Sequence, residues 1–294
     1  MQRGIWYGLF AYVTWGLLPV YWKALGGIPA QEILANRVVW SLVLALILLV
    51  VRRNWSWLRQ VRRRDVFVAY MAAAGLLAVN WFVYIWAVNA GHVVETSLGY
   101  FINPLVNVVL GVLIFRETLR PLQWGAVSIA ALGVLYLTVT YGALPWIALT
   151  LAFSFGFYGV LKKRARLAAL EGMAVEMAIL STGGLLYLFW LTANGTAALT
   201  TAPPATVALL VGTGVVTLFP FLGFAAAARR VPLSVLGFLQ YLAPTLQFLL
   251  GVLLYHEAFP PSRLIGFSLI WLALVVFSTD GVLTRRRRLR ERYA

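Results

Sequence analysis

The segments SLGYFINPLVNVVLGVLIFRE, residues 97–117, and GFLQYLAPTLQFLLGVLLYHE, residues 237–257, are one pattern written twice. A shift of 140 residues carries Pro104 onto Pro244, Gly111 onto Gly251, Val112 onto Val252, Leu113 onto Leu253 and Glu117 onto Glu257. The same shift carries Trp6 onto Trp146, Gly16 onto Gly156, Val20 onto Val160, Lys23 onto Lys163 and Ala87 onto Ala227. Single matches mean little in so apolar a chain, but a fixed register over four helices of each half marks an internal repeat. Each copy is also an apolar run of the roughly 20 residues that a helix needs to cross a bilayer.

The rest of the chain agrees. Of 294 residues 62% are hydrophobic and 11% charged, against about 45–50% and 25% in a soluble domain. A globule could not hide that much apolar surface, so lipid is the solvent. Apolar runs between charge and turn signals give ten spans near 5–23, 33–51, 66–88, 95–115, 122–139, 145–161, 173–192, 206–228, 234–254 and 263–283. The first starts at Ile5, is too long for a signal peptide and lacks an A-x-A exit, so it is read as a span. Backbone inside lipid must satisfy its own polar groups, which makes the spans helices.

The net charge of +15 does not call for nucleic acid. With the N-terminus inside, all of the 24 basic residues except Lys23, Arg37 and Arg263 fall on the cytoplasmic side, the asymmetry that sets topology. The expected architecture is therefore an all-α polytopic membrane protein with both termini cytoplasmic. Residues 1–140 hold the first five-helix repeat; 141–294 hold the second, with a basic tail over 284–294. Five is odd, so the repeats are inverted, as in secondary transporters that bind their solute at mid-membrane.

Catalysis finds no support. There is no Cys, only His92 and His256, and neither H-E-x-x-H nor G-x-S-x-G. No metal and no cofactor is expected. The informative residues are polar groups within the spans. On the fourth helix Tyr100, Asn103, Asn107 and Gly111 form one stripe, which the repeat carries to Gln240, Ala243, Gln247 and Gly251. Pro104 and Pro244 interrupt the two stripes and free backbone carbonyls. The amides either line a cavity on the pseudo-two-fold or bond neighbouring helices together. Asn80, Trp81 and Tyr84 on the third helix, Trp15, Tyr158, and Tyr241 beside Gln240 complete the candidate substrate-binding set. Trp6, Trp22, Trp55 and Trp57 read as an interfacial belt.

The ionisable groups form a separate set. Arg37 and Glu176 sit at opposite membrane faces, too far apart to pair. Arg37 is expected to meet Glu32 or Glu95, and Glu176 the basic loop from Lys162 to Arg166. Glu117 and Glu257 lie at helix C-ends, where the dipole disfavours a carboxylate, so they are expected to hold Arg, Ser or backbone amides. No carboxylate falls at mid-membrane, which favours a neutral or zwitterionic solute with an apolar or aromatic body.

The stretches NWFVYIWAVN (80–89), SLGYFINPLVNVVLG (97–111), AFSFGFYG (152–159) and LGFLQYLAPT (236–245) resemble the RarD branch of the drug/metabolite transporter superfamily, in its EamA-type group. The resemblance spans essentially the whole chain. It implies a ten-helix inverted repeat that moves small metabolites or drugs, mostly outward, across the bacterial inner membrane. The branch takes its name from chloramphenicol sensitivity, so an amphenicol joins the candidate solutes. A proton-coupled multidrug exporter using Glu95 or Glu257, and a membrane scaffold or enzyme subunit, are the alternatives. Expected partners are the bilayer and a small-molecule substrate, with no nucleic acid; a monomer and a homodimer both remain open.

Overall fold

A computed structural model describes residues 2–53, 55–89, 93–141, 146–254, 264–266, 268–273, 275–277 and 279–280. Within them the side chains at 85, 88, 89, 93–98, 141, 248, 251 and 252 are not described. Every described element is helical: α1 (Gln2–Lys23), α2 (Ala30–Arg52), α3 (Trp57–Val61), α4 (Arg64–Asn89), α5 (Val93–Phe115), α6 (Pro121–Tyr141), α7 (Trp146–Arg164), α8 (Ala169–Ala193), α9 (Ala198–Thr201), α10 (Pro204–Ala228), α11 (Leu233–Gln240) and α12 (Leu242–Leu249). A π-helical turn, Leu250–Leu254, follows α12, and helix resumes over Leu264–Phe277. Five of these, α2, α4, α6, α8 and α10, contain stretches long and apolar enough to cross a membrane.

Local chemistry sets the boundaries. Pro29, Pro203 and Pro232 stand immediately before α2, α10 and α11, and Pro121 opens α6; proline has no N–H to leave unpaired there, and its φ suits a first turn. Arg53 closes α2 in the left-handed region at φ 50°, returning its N–H to the Val50 carbonyl. The ninth predicted span is not one rod. The α11–α12 break falls at Tyr241, three residues before Pro244, which removes an N–H donor and crowds the Gln240 carbonyl one turn back. Pro104 lies inside an unbroken α5. The short helices α3 and α9 were not expected from the apolar runs.

Packing brings the halves together. Helix α1 lies on α10, and α4 on α7; α2 lies on α10, and α4 on α8. Helix α5 touches α7, and α1 touches α12, while α2 meets α8 and α5 meets α11. Two crossings are closed by glycine. A Cβ on Gly214 would stand 2.6 Å from the Trp40 carbonyl carbon and oxygen, and one on Gly237 2.6 Å from the Pro104 oxygen. The apolar exterior, with Trp6 at 70%, Leu186 at 72% and Phe189 at 75% exposed, is a lipid-facing surface rather than a water-facing one.

The basic loops gather at one end of the bundle. Arg166 meets Asp65 at 2.8 Å, and Arg229 donates to the Leu167 carbonyl at 2.8 Å. Lys163 donates to Val231 O at 2.9 Å, and the guanidinium of Arg230 lies over the Tyr7 ring.

Candidate functional site

At the centre, side chains of α1, α4, α7 and α10 form a continuous aromatic cluster. Trp15 stands 5.0 Å from Phe221 and 5.8 Å from both Phe155 and Phe224. Tyr158 stacks on Phe224 at 6.0 Å and meets Phe221 at 6.2 Å; Trp81 meets Phe221 edge-on at 5.9 Å. Most of these contacts are the edge-to-face and offset geometries that the ring quadrupole favours. Trp15, Trp81 and Tyr158 therefore share one cluster, joined by Phe221 and Phe224 of α10.

Two polar clusters flank this plug. Away from the basic end, Arg37 donates from Nε to the Thr217 hydroxyl at 2.8 Å, and its Cζ lies 4.4 Å over the Trp81 ring and 5.6 Å from that of Trp22. Tyr84 and Tyr100, in edge contact at 5.8 Å, lie within electrostatic reach of the guanidinium. The expected Arg37–Glu32 pair is not formed. Glu32 is buried and accepts the Ala198 N–H at 2.6 Å, because the short α9 presents its first amide to α2. The side chain of Glu95 lies outside the described residues, as do Glu257 and the side-chain face of Gly251. Trp22 stands beside Arg37, and Trp57, the first residue of α3, is buried.

Toward the basic end, Glu176 receives Lys162 Nζ at 2.9 Å and the Tyr158 hydroxyl at 3.0 Å. Lys162, one of the expected partners, is the one that reaches it. A cavity of about 180 Å³ beside the pair is lined by Asp65, Tyr70, Lys162, Arg166 and Glu176 among others. The aromatic cluster separates Arg37 from Glu176, and the two do not pair.

Glu117 lies beyond the end of α5 and binds the other half of the molecule. Its carboxylate accepts the N–H groups of Leu233 at 2.7 Å and Ser234 at 3.1 Å, the Ser234 hydroxyl at 2.8 Å and Lys163 Nζ at 3.1 Å. It thus caps the N-terminus of α11, where the dipole favours an anion. Arg, Ser or backbone amides were the expected partners; Ser234 and the amides are met, and the cation is Lys163 rather than an arginine. Desolvation would raise the Glu117 carboxyl, but the Leu233 and Ser234 amides, the Ser234 hydroxyl and the Lys163 charge outweigh it and hold the group below the usual carboxylate value. Gly111 makes this possible: a Cβ there would stand 2.7 Å from Glu117 Oε2.

The amides form a buried hydrogen-bonded row. Asn103 donates to Ala152 O at 2.7 Å; Asn107 donates to Asn103 Oδ1 at 3.1 Å and to Gln240 Oε1 at 2.8 Å. Asn80 donates to Leu151 O and to the Ser154 hydroxyl, each at 3.0 Å, and Gln247 donates to Trp15 O at 3.2 Å. In this conformation the amides hold α5, α7 and α11, α4 and α7, and α1 and α12 together. Tyr241 points elsewhere, into an apolar cluster with Phe101, Phe238 and Phe277. A second cavity, about 440 Å³, lies between α2, α4 and α8 and is lined by Leu34, Val38, Trp81, Phe82, Trp86 and Tyr187 among others.

An all-helical bundle with a lipid-facing exterior and polar groups enclosed between its halves is the build of a multi-pass membrane transporter. The EamA-like transporter family matches over residues 2–139 and again over 144–279. The chain belongs to that family, in its RarD group within the drug/metabolite transporter superfamily, and is by that membership a transporter rather than an enzyme. Protein RarD of Streptomyces exfoliatus is 48% identical to it over 287 residues, 97% of this chain and 91% of that protein. An uncharacterized transporter of Vibrio cholerae is 45% identical over 282 residues, 96% and 93% of the two chains. A protein of known crystal structure shares the fold, with a TM-score of 0.70 at 20% identity over 94% of this chain and 97% of that one.

Proposed function

We propose that this protein is an alternating-access carrier of the bacterial inner membrane that exports a small neutral or zwitterionic solute, an amino-acid-like metabolite or an amphenicol-like drug. Ten spans form two inverted five-helix repeats, with both termini cytoplasmic. The observation that carries the reading is the symmetry of the packing. The repeat offset relates α1 to α7, α2 to α8, α4 to α10 and α5 to α11–α12. Under that exchange α1–α10 becomes α7–α4, α2–α10 becomes α8–α4, and α5–α7 becomes the broken pair α11–α12 on α1, and each contact is present. Two matches of one family to the two halves support the same reading.

Such halves rock about a central site. Trp15, Asn80, Trp81, Tyr84, Tyr100, Asn103, Tyr158, Gln240 and Gln247 line the path in this proposal. The amides exchange their present interhelical bonds for polar groups of the solute as the halves part. Glu117 and the Glu176–Lys162 pair latch the cytoplasmic side, and Pro104 and Pro244 allow the fourth and ninth spans to bend.

Orientation has a direct test, since the chain has no native Cys. A single Cys at Asn194 should react with an impermeant maleimide in whole cells, and one at Arg62 only after permeabilisation; the reverse pattern overturns the topology. Transport is tested in everted vesicles and proteoliposomes with radiolabelled chloramphenicol and amino acids. Counterflow that survives an uncoupler is the expected result. Flux abolished by the uncoupler would replace this reading with a proton-coupled exporter, and no flux of any probe would remove the carrier.

A further inference from the structure

We propose that Arg37 is the receptor for a carboxylate on the transported solute, so that the substrate is a carboxylate-bearing amphiphile, zwitterionic rather than neutral. This rests on the carrier reading and narrows its substrate class.

A cation within a membrane helix bundle is costly and is found paired or facing a polar cavity. The described carboxylates do not supply the pair. Glu32 accepts an amide of α9, Glu176 holds Lys162, Glu117 holds Lys163, Asp65 meets Arg166, Asp280 meets Arg120, and Glu171 lies in the first turn of α8 near Tyr70, at the basic end. Arg37 makes one hydrogen bond, from Nε to Thr217, which leaves both Nη groups without a protein acceptor among the described residues. Arg37 itself is only partly buried, whereas Thr217 is fully buried.

The surroundings hold the guanidinium without neutralising it. Trp81 lies over it at 4.4 Å and Trp22 at 5.6 Å, a cation–π setting that restrains the plane and covers the guanidinium with indole. Thr217 fixes one edge by its bond to Nε. What has no protein acceptor among the described residues is the Nη edge, the part that meets a carboxylate in a bidentate fork. Tyr84 and Tyr100, within electrostatic reach, bring phenol groups that suit the remaining polar atoms and the apolar body of such a solute. The residues come from α1, α2, α4, α5 and α10, hence from both halves, so a ligand held here responds to their relative movement.

The test uses purified full-length protein in detergent and matched probes that differ only in the carboxylate: L-phenylalanine against L-phenylalaninamide, and 3-phenylpropionate against 3-phenylpropanamide. Ligand binding to the folded form raises its melting temperature. The acids should stabilise the wild type and the amides should not. Arg37→Gln should weaken binding of the acids by roughly 10- to 150-fold, the scale of a charged hydrogen-bonded contact. Arg37→Lys should retain part of the affinity, and Glu95→Gln should keep the discrimination between acid and amide.

Equal stabilisation by acid and amide, or by neither, in the wild type overturns the proposal without recourse to any variant. So does discrimination that appears only in Glu95→Gln, which would make Arg37 an internal ion-pair partner freed by that change. Counterflow of L-phenylalanine that is unchanged by Arg37→Gln would leave the carrier standing and remove the receptor. Acid binding with no flux would do the opposite.

Discussion

Glu176→Ala is expected to cost about 3–5 kcal/mol of folding stability, the usual penalty for leaving one member of a buried ion pair behind. The Lys162 and Glu176 side chains are 3% and 0% exposed and meet at 2.9 Å. With the carboxylate gone, the ammonium keeps only the faces of Tyr70 at 5.8 Å and Tyr158 at 5.5 Å, and a cation–π contact offsets only about 0.5–2 kcal/mol. Lys162→Met should be as damaging, because it strands a carboxylate that only the Tyr158 hydroxyl still solvates. The double variant Lys162→Met/Glu176→Leu should recover most of the loss, since an apolar replacement of a buried pair is often neutral or better. Thermal and denaturant melts in detergent, arranged as a double-mutant cycle, read the coupling directly. A Glu176→Ala protein that melts like the wild type, or a double variant as weak as the two losses summed, would refute the pairing. Rescue of folding without rescue of transport would assign the pair a part in gating as well as in assembly.

What the sequence disclosed followed the range of the interactions. Apolar runs located the helices because lipid forces every span to be apolar and helical. The Glu176–Lys162 pair was legible because both charges lie close along the chain, on either side of a single loop. The partner of Arg37 was not: Thr217 lies 180 positions away, and nothing in an apolar helix distinguishes it from Thr213. Glu32 was one of the two expected partners, with Glu95, but α9, four residues long, supplies an amide to it instead. Tyr241 follows Gln240 in sequence, yet a step of about 100° per residue turns it from the amide row into the apolar cluster at Phe277. Asn103, Asn107 and Gln240 of the amide stripes meet in one row, whereas Gln247, beyond the break at Tyr241, bonds α1. The bonds to Ala152 O and Trp15 O could not be read, because those acceptors are backbone carbonyls, which every residue carries.

The repeated Gly and Glu at the ends of the fourth and ninth spans acquire a physical reason at Glu117, and the second large effect belongs there. Glu117→Ala removes the cap of α11, the Ser234 contact and the Lys163 ion pair together. Two charge-assisted amide bonds and a cap suggest about 2–4 kcal/mol, all of it acting between the two halves. The loss should therefore appear as opening of the basic end as well as a lower melting temperature. A Cys placed at Ser154 should become more reactive to a membrane-permeant maleimide. Gly111→Ala should act like a mild Glu117→Ala, because its Cβ would stand 2.7 Å from the carboxylate oxygen. Glu117→Gln keeps one acceptor oxygen and should fall between the two. The pH dependence follows from the depressed carboxyl of Glu117. A lowered folded-state value means that the closure is fully present above the unfolded value near 4.5 and is lost as the pH falls below it, through the folded value. Wild-type closure should accordingly be flat from pH 8 to 5 and weaken in stronger acid, whereas Glu117→Ala should already be open at pH 7 and lack that step. Unchanged maleimide reactivity in Glu117→Ala at pH 7 would show that α11 and α5 stay joined without the carboxylate, through the Asn107–Gln240 bond and the close approach at Gly237.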